Sequence, residues 1–190
     1  RNQTNNHTSF DVVRGVGKAI YQNLNNAEEN QAQGITAFDS DGFSVGTLAD
    51  INASGGNIVS MNWKAGGTGS ANSDGSLAST VSVNTTAGFS IVKWTNGTSN
   101  VQTIGHGLGA APKFIIFKVL SGTGSWNTYH ESIGNTHGLY LNSDAAKEDN
   151  IAFFNDTSPT STVFTTGTNG NLVNNTLVAY CFAEKKGFSK

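Results

Sequence analysis

Charged residues are scarce in this chain. Asp, Glu, Lys and Arg make up 13% of it, about half of the roughly 25% usual in globular proteins. Scarce charge can indicate a membrane protein, but no apolar run approaches the ~20 residues that a spanning helix needs. The net charge is only −2 and no basic stripe is present, which argues against nucleic-acid binding. We therefore expect neither membrane insertion nor a nucleic-acid partner.

Cysteine is almost absent. Cys181 stands alone, so an intrachain disulfide is excluded. It lies within the apolar run 177–183, where a buried structural thiol is expected rather than a nucleophile. The chain begins at Arg1 without an initiator Met or a signal peptide. We therefore expect a processed chain or a piece of a longer one.

Asn, Ser, Thr and Gly supply the polarity instead of charge, and they separate short runs rich in Val, Ile, Phe and Tyr. This pattern is typical of strands joined by tight turns. Two runs, 114–117 and 178–182, are apolar on both faces and predict central strands between packed layers. Two short segments, 25–32 and 143–150, look helical. The sequence predicts an all-β antiparallel sandwich, jelly-roll or concanavalin-like. The predicted strands are 88–94, 113–118 and 177–183, with weaker ones at 9–13, 19–22, 43–45, 58–63, 139–142 and 162–165.

An internal repeat relates the two halves of the chain. A shift of 119 positions aligns 58–63 with 177–182, and a shift of 121 aligns Phe43 with Phe164. We therefore predict two related β units. Other matched positions at the shift of 119 are Phe10 and Tyr129, Gly15 and Gly134, Ala27 and Ala146, and Glu29 and Glu148.

The repeat predicts four parts. They are an incomplete first unit (1–66), a Gly/Ser-rich linker with an additional strand (67–87), a complete second unit (88–184), and the start of a further unit or an exchange segment (185–190). The first unit has no counterpart of the opening strands 89–94 and 114–118, so its edges would be exposed. Either the chain continues, or a neighbouring subunit supplies strands in trans. The second case gives head-to-tail contacts, which propagate into filaments.

No motif in the sequence gives strong evidence of a catalytic, phosphate-binding or metal-binding site. His106 lies in the Gly-rich run 104–109, which lacks the Lys-Ser/Thr of a phosphate loop and reads as a turn. The run 39–42 resembles the opening of a calcium loop, but a strand follows it, which favours an Asp-Gly hairpin. His130 and Glu131 are adjacent on a strand, so they point to opposite faces and cannot easily cooperate. We expect no catalytic residue, metal or cofactor. The carboxylates that a depolymerase would have to use are Glu131, Asp144, Glu148 and Asp149.

Three aromatic residues of the second unit could stack on sugars: Trp126, Tyr129 and Tyr140. Tyr129 and Tyr140 match aromatic positions of the first unit, which indicates core positions and leaves Trp126 as the candidate glycan contact. Seven glycosylation sequons occur, where chance alone gives about five, and they fall mostly in turns. The candidate glycosylation sites are Asn2, Asn6, Asn52, Asn84, Asn96, Asn155 and Asn174.

Several of these runs resemble a repeated β-domain of tailed-bacteriophage virion proteins that is common in aquatic phages. The resemblance is carried by 38–43, 107–118, 126–130, 155–161 and 178–184, and it covers nearly the whole chain. It implies a structural or tail-fibre-like protein in a virion or outside the cell, without established catalytic residues.

These observations predict a non-enzymatic structural protein. It would assemble head-to-tail with itself, through strands exchanged between subunits, into an extracellular filament or a phage tail appendage. The alternative is a carbohydrate-binding, lectin-like module of a phage receptor-binding protein, with surface glycans as its partner.

Overall fold

The computed structural model describes residues 4–98 and 101–187. Strands dominate these residues, and neither α-helix is long or apolar enough to cross a membrane. The helices are α1 (Ala49–Asn52) and α2 (Ile151–Phe154), and 3₁₀ turns lie at Glu131–Ile133 and Gly170–Leu172. The strands are β1 (Thr8–Ser9), β2 (Lys18–Tyr21), β3 (Glu29–Asn30), β4 (Ile35–Phe38), β5 (Phe43–Val45), β6 (Ser70–Asn72), β7 (Ser79–Asn84), β8 (Phe89–Thr95), β9 (Gln102–Gly105), β10 (Phe114–Val119), β11 (Asn127–His130), β12 (His137–Tyr140), β13 (Glu148–Asp149), β14 (Val163–Thr166) and β15 (Thr176–Phe182).

An eight-stranded antiparallel sheet organises the molecule, in the order β13-β12-β11-β10-β15-β8-β7-β6. Its central strand, β15, pairs with β10 along one edge and with β8 along the other. These three strands are rich in β-branched and aromatic residues, which suit a pleated surface that is covered on both sides. Three smaller sheets accompany it: β1-β2-β3, β9-β14 and β4-β5.

The inner face of the large sheet carries the larger apolar cluster and is covered by β9, β14 and α2. Trp94 of β8 packs against Phe164 of β14 with ring centroids 5.6 Å apart. Phe117 of β10 packs against Phe154 of α2 at 5.4 Å. Edge-on aromatic contacts of this kind add to the stabilisation from area burial alone.

The outer face of the same sheet is covered by the first unit. Ile20 of β2 is fully buried among Ile91, Val178 and Trp126. The Trp126 indole N–H donates to the main-chain carbonyl of Tyr21 at 2.8 Å. Layers therefore lie on both faces of the sheet, and the predicted all-β sandwich is confirmed.

The repeat is visible in the strand registers. Thr8 pairs with Tyr21 in the first unit, and Asn127 pairs with Tyr140, 119 positions later, in the second. The β2–β3 pairing recurs as β12–β13 with the same offset. Equal registers in two sheets are not expected by chance, because a slip by one residue turns every side chain to the other face. The two units are therefore structural repeats.

The two segments predicted to be helical, 25–32 and 143–150, contain the short strands β3 and β13 instead. The helix prediction was wrong because runs this short do not hold a helix without packing. Pairing with β2 or β12 satisfies their backbone instead. In each unit a strand tyrosine also donates to a glutamate of this segment at 3.0 Å. The pairs are Tyr21 with Glu29 and Tyr140 with Glu148.

Residues 67–87, expected to form a linker with one additional strand, hold β6 and β7. β7 pairs with β8 over its whole length, and β6 pairs with β7 at the edge of the sheet. This segment therefore extends the large sheet of the second unit by two strands.

A buried polar cluster links the first unit to the outer face of the sheet. The Arg14 guanidinium contacts the carboxylates of Asp11 and Glu28, and it donates to two main-chain carbonyl oxygens at 2.7 and 3.1 Å. The Tyr180 hydroxyl of β15 donates to Asp11 at 2.7 Å. Burial, together with the Asp11 carboxylate, raises the pKa of the Tyr180 phenol. Each polar group in this cluster therefore has a partner, which burial requires.

Lys118 of β10 is a second polar group on this face, and its side chain is fully buried. Its ammonium donates to the carbonyl oxygens of Val119 at 2.9 Å and of Asn25, in the first unit, at 3.3 Å. Among the described residues it has no carboxylate partner, and burial lowers the pKa of its ammonium to about 8. It therefore joins the two units at an electrostatic cost.

Replacing Arg14 should strongly destabilise the fold. We expect Arg14→Met to lower the free energy of unfolding by about 3–5 kcal/mol, because it leaves Asp11 buried without its cation. Urea denaturation measures this change. Glu131→Gln is the matched control, since it breaks the exposed Lys113–Glu131 pair and should cost under about 1 kcal/mol. Equal losses in the two variants would contradict a stabilising role for the buried cluster.

Lys118 predicts a pH dependence of stability. Its pKa is about 8 in the folded protein and about 10.4 in an unfolded chain. Between these values the unfolded state binds more protons, so stability rises with pH. We expect the wild type to gain stability relative to Lys118→Met from pH 7.5 to pH 9.5, measured by denaturation at each pH. Parallel pH profiles of the two proteins would show that the amine is not desolvated.

Candidate functional site

Residues 58–63, hereafter the 58–63 segment, carry the most exposed large apolar side chains among the described residues. Its apolar side chains are exposed: Val59 by 74%, Met61 by 76% and Trp63 by 56%. The segment is not a strand, and among the described residues no main-chain hydrogen bond joins it to its surroundings. The prediction of a strand here was therefore wrong for this structure. The cause is that no strand of the described chain lies alongside to pair with it.

Its repeat counterpart is β15, which has the opposite surroundings. Leu177, Val178 and Ala179 are completely buried, and both edges of the strand are hydrogen-bonded. One sequence pattern therefore occupies the centre of the sheet in the second unit and the surface in the first.

A second repeat pair shows the same contrast. Phe164 of β14 is 1% exposed and packs on Trp94 of β8. Its counterpart in the first unit, Phe43 of β5, is 40% exposed, as is Val45 beside it. The face that receives β8 and β15 in the second unit is therefore uncovered in the first.

The end of the 58–63 segment is anchored. The Trp63 ring lies on Phe89 of β8 and Phe182 of β15, with centroid distances of 6.3 and 5.8 Å. The following carbonyl, of Lys64, accepts a hydrogen bond from the Asn84 side chain at 3.1 Å. The segment therefore lies against the sheet at one end and exposes its apolar side chains along the rest of its length.

Trp63 extends a row of aromatic side chains that crosses four strands of the outer face. Its members are cross-strand neighbours: Phe89 on β8, Phe182 on β15, Phe114 on β10 and His130 on β11. Successive ring centroids lie 4.9, 5.6 and 5.8 Å apart. Aromatic cross-strand pairs of this kind stabilise antiparallel sheets. Cross-strand pairing within the sheet therefore accounts for the row, but it does not account for the exposed ring of Trp63.

A cavity of about 260 Å³ opens beside Trp63. Phe89 and Phe182 form its apolar wall, and Asn62 and Lys64 contribute polar groups. An aromatic wall next to polar lining residues can hold a sugar ring or an apolar side chain. This cavity lies at the anchored end of the 58–63 segment.

Trp126, the candidate glycan contact from sequence, is corrected by the structure. It is completely buried, and its ring lies nearly parallel to Tyr180 at 6.4 Å. Its N–H is already used by the Tyr21 carbonyl. The first unit covers this tryptophan, so its ring is not available to a ligand. Tyr129 is likewise in the core.

The candidate glycosylation sites differ in exposure. Asn2 lies outside the described residues. Asn96 is 2% exposed and accepts the Trp94 indole N–H at 3.0 Å, so its amide is not accessible to a glycan. Asn52 and Asn174 are exposed. The partly buried sites are Asn6, Asn84 and Asn155.

His106 and Cys181 have structural surroundings. The His106 ring is completely buried, with Nδ1 accepting the Leu108 N–H and Nε2 facing the Thr160 carbonyl, each at 3.2 Å. Burial lowers the pKa of this imidazole and raises the pKa of the Cys181 thiol to about 12. Both groups are therefore held neutral, which does not suit a nucleophile or an exposed base.

The other candidate motifs also make local contacts. Residues 39–42 form the hairpin turn between β4 and β5, as predicted, with the Asp39 N–H donating to the Gly42 carbonyl at 2.9 Å. The side chain of His130 contacts Ser132, while Glu131 pairs with Lys113. Within the described ranges, no group of three or more His, Cys, Asp or Glu side chains could hold a metal ion.

Sequence reasoning missed Trp63 as a functional residue. The available signal was its alignment with Phe182, a core position, in a unit without the flanking strands. Exposure depends on the neighbouring strands, so Trp63 is exposed although its counterpart Phe182 packs on the sheet.

Comparison with known proteins places the whole chain in one family. A family model described as a domain of unknown function, DUF7483, matches residues 1–190. No curated protein and no solved structure matches the chain. The chain therefore belongs to the DUF7483 family.

Proposed function

We propose that this chain is a non-enzymatic structural module that joins other units of its own kind, head to tail, in an extracellular filament or a phage tail appendage. The observation that carries the proposal is the exposed 58–63 segment, whose counterpart β15 is the central strand of the sheet. The resemblance of runs 107–118 and 126–130 to tailed-phage virion domains supports the same class of protein.

The segment has the chemistry of an interaction surface. Val59, Met61 and Trp63 are more than half exposed, and burying such a side chain contributes about 1.5–3 kcal/mol. Contiguous exposed apolar side chains of this kind mark contact sites. Unpaired main-chain groups add the capacity to accept a neighbouring strand.

The edges of the large sheet, in contrast, are poorly suited to association. β6 has three residues and β13 has two. Short edge strands discourage pairing between sheets of different molecules. Association is therefore directed to the 58–63 segment, which must meet a different surface on its partner. Contacts of that heterologous kind extend into filaments when they do not close into rings.

A second candidate function, carbohydrate binding, is favoured by the exposed Trp63 beside its cavity. Asn62 and Lys64 would supply hydrogen bonds to sugar hydroxyls. The first proposal is preferred because Trp63 belongs to a longer apolar segment, which a sugar ring would leave uncovered.

Pure protein should associate through the 58–63 segment. We expect the wild type to sediment as larger species with rising concentration and to form elongated particles in electron micrographs. Combining Val59→Asp with Met61→Asp should leave it monomeric, because each carboxylate would be desolvated at the contact.

Val16→Asp is the matched control, since Val16 is 49% exposed but lies outside the segment. It should associate like the wild type. Wild-type protein that stays monomeric at every concentration, or equal association in all three proteins, would contradict the proposal.

The two candidate functions separate on a glycan array. On the structural proposal we expect wild type and Trp63→Ala to give the same background signal, because Trp63 serves a protein contact. Specific retention by the wild type that Trp63→Ala abolishes would favour carbohydrate binding instead.

A further inference from the structure

We propose that the 58–63 segment is completed by two antiparallel strands of the β8 and β10 type, contributed by another unit of this domain. The segment would then become the central strand of a second sheet. This inference rests on the proposed function, and it specifies the chemistry of the partner and the register of the contact.

The second unit displays the completed arrangement. β15 is bonded to β8 over seven residue pairs and to β10 over six. Its side chains alternate between the two faces, with Leu177 and Cys181 in the inner cluster and Val178 in the outer one. The repeat assigns Ile58 and Val59 to the same two faces as Leu177 and Val178. A strand that is apolar on both faces is stable only between neighbouring strands.

The register follows from the offset of 119. Tyr180 of β15 lies between Ile91 of β8 and Ile116 of β10, so Met61 should lie between their equivalents in the partner. Trp63 takes the place of Phe182, and its flanking residues are the equivalents of Phe89 and Phe114. The partner strands would therefore continue the aromatic row from one unit to the next.

Phe43 provides independent support. Its counterpart Phe164 is buried against Trp94 of β8. A β8-type strand beside the 58–63 segment would bring an equivalent tryptophan to Phe43, which is now 40% exposed. Phe43 and the 58–63 segment lie in different parts of the first unit, and the same β8-type strand would cover both.

The number of β8–β10 pairs in the described chain limits which molecule can donate the two strands. The described chain holds two segments of the β15 type but one β8–β10 pair, and β15 already occupies that pair. A partner must therefore offer a β8–β10 pair that is not engaged by its own central strand, and a second copy of this chain meets that condition only where its β15 is exchanged for the 58–63 segment. The chemistry of that partner is two antiparallel strands with alternating apolar side chains in the pattern of residues 89–95 and 114–119.

A fusion tests the inference within one molecule. Because Arg1 aligns with Leu120, a second copy of residues 88–119 fused in front of Arg1 stands at the repeat distance from the first unit. We expect the amides of the 58–63 segment to exchange about 100-fold more slowly in the fusion than in the unfused chain, since they become part of a sheet. Unchanged exchange in this segment would overturn the inference.

Engineered cysteines test the register. Met61→Cys combined with Ile116→Cys in the fused copy should form a disulfide on mild oxidation, because directly opposed strand residues meet the distance requirement. Met61→Cys with Phe114→Cys in the fused copy, two residues out of register, should not. Cys181 is completely buried and will not compete. Preferential cross-linking of the out-of-register pair would overturn the proposed alignment.

The fusion carrying Val59→Asp and Met61→Asp is the folding control. It should keep slow exchange in β15 while losing the protection of the 58–63 segment. Protection that persists in this variant would overturn the inference.

Sedimentation of the unfused chain, combined with amide exchange in the fusion, separates this inference from the proposed function. If the unfused wild type stays monomeric while the fusion gains protection, the strand inference holds and self-assembly of the chain fails. If the wild type associates but the fusion gains no protection, the module assembles by another geometry and the strand inference fails.

Discussion

The fold depends on the requirement that a strand apolar on both faces be enclosed on four sides. β15 meets it with β8 and β10 at its edges, the β9–β14 layer on its inner face and the first unit on its outer face. Each of these neighbours covers one edge or one face of β15. The aromatic contacts of Trp94 and Phe117 fix the inner layer. The hydrogen bond from Tyr180 to Asp11 ties the outer layer directly to the strand.

The same requirement explains which parts of the fold could be predicted from sequence. The runs at β8, β10 and β15 are apolar enough to predict buried strands, and the offset of 119 found in the sequence also relates the strand registers of the two units. The 58–63 segment carries the same pattern but forms no strand, because strand formation depends on neighbours that a local pattern does not contain. The sequence indicates that a segment needs neighbouring strands, and only the tertiary structure shows whether those strands are present.

The candidate site shows the limit of sequence reasoning most clearly at the tryptophans. Trp126 remained the candidate glycan contact because it had no aromatic counterpart identified in the first unit, and Trp63 was noted only as the counterpart of Phe182. Their exposures are 0% and 56%, respectively. The deciding fact is that the first unit covers the outer face at Tyr21, whose carbonyl accepts the Trp126 indole N–H. Composition and residue spacing do not reveal which face of one unit is covered by the other, because that depends on how the two units pack.

The polar groups beneath the first unit have a consequence for the exposed segment. Apolar contacts such as that of Ile20 tolerate small shifts, whereas Arg14 and Lys118 need particular oxygen atoms as partners. Such buried groups favour one position of the first unit over its neighbours. Lys64 then holds the end of the 58–63 segment at β7 through Asn84. A partner strand would thus meet a segment with one end already held in place, and the entropy lost on association would be smaller than for a free tail.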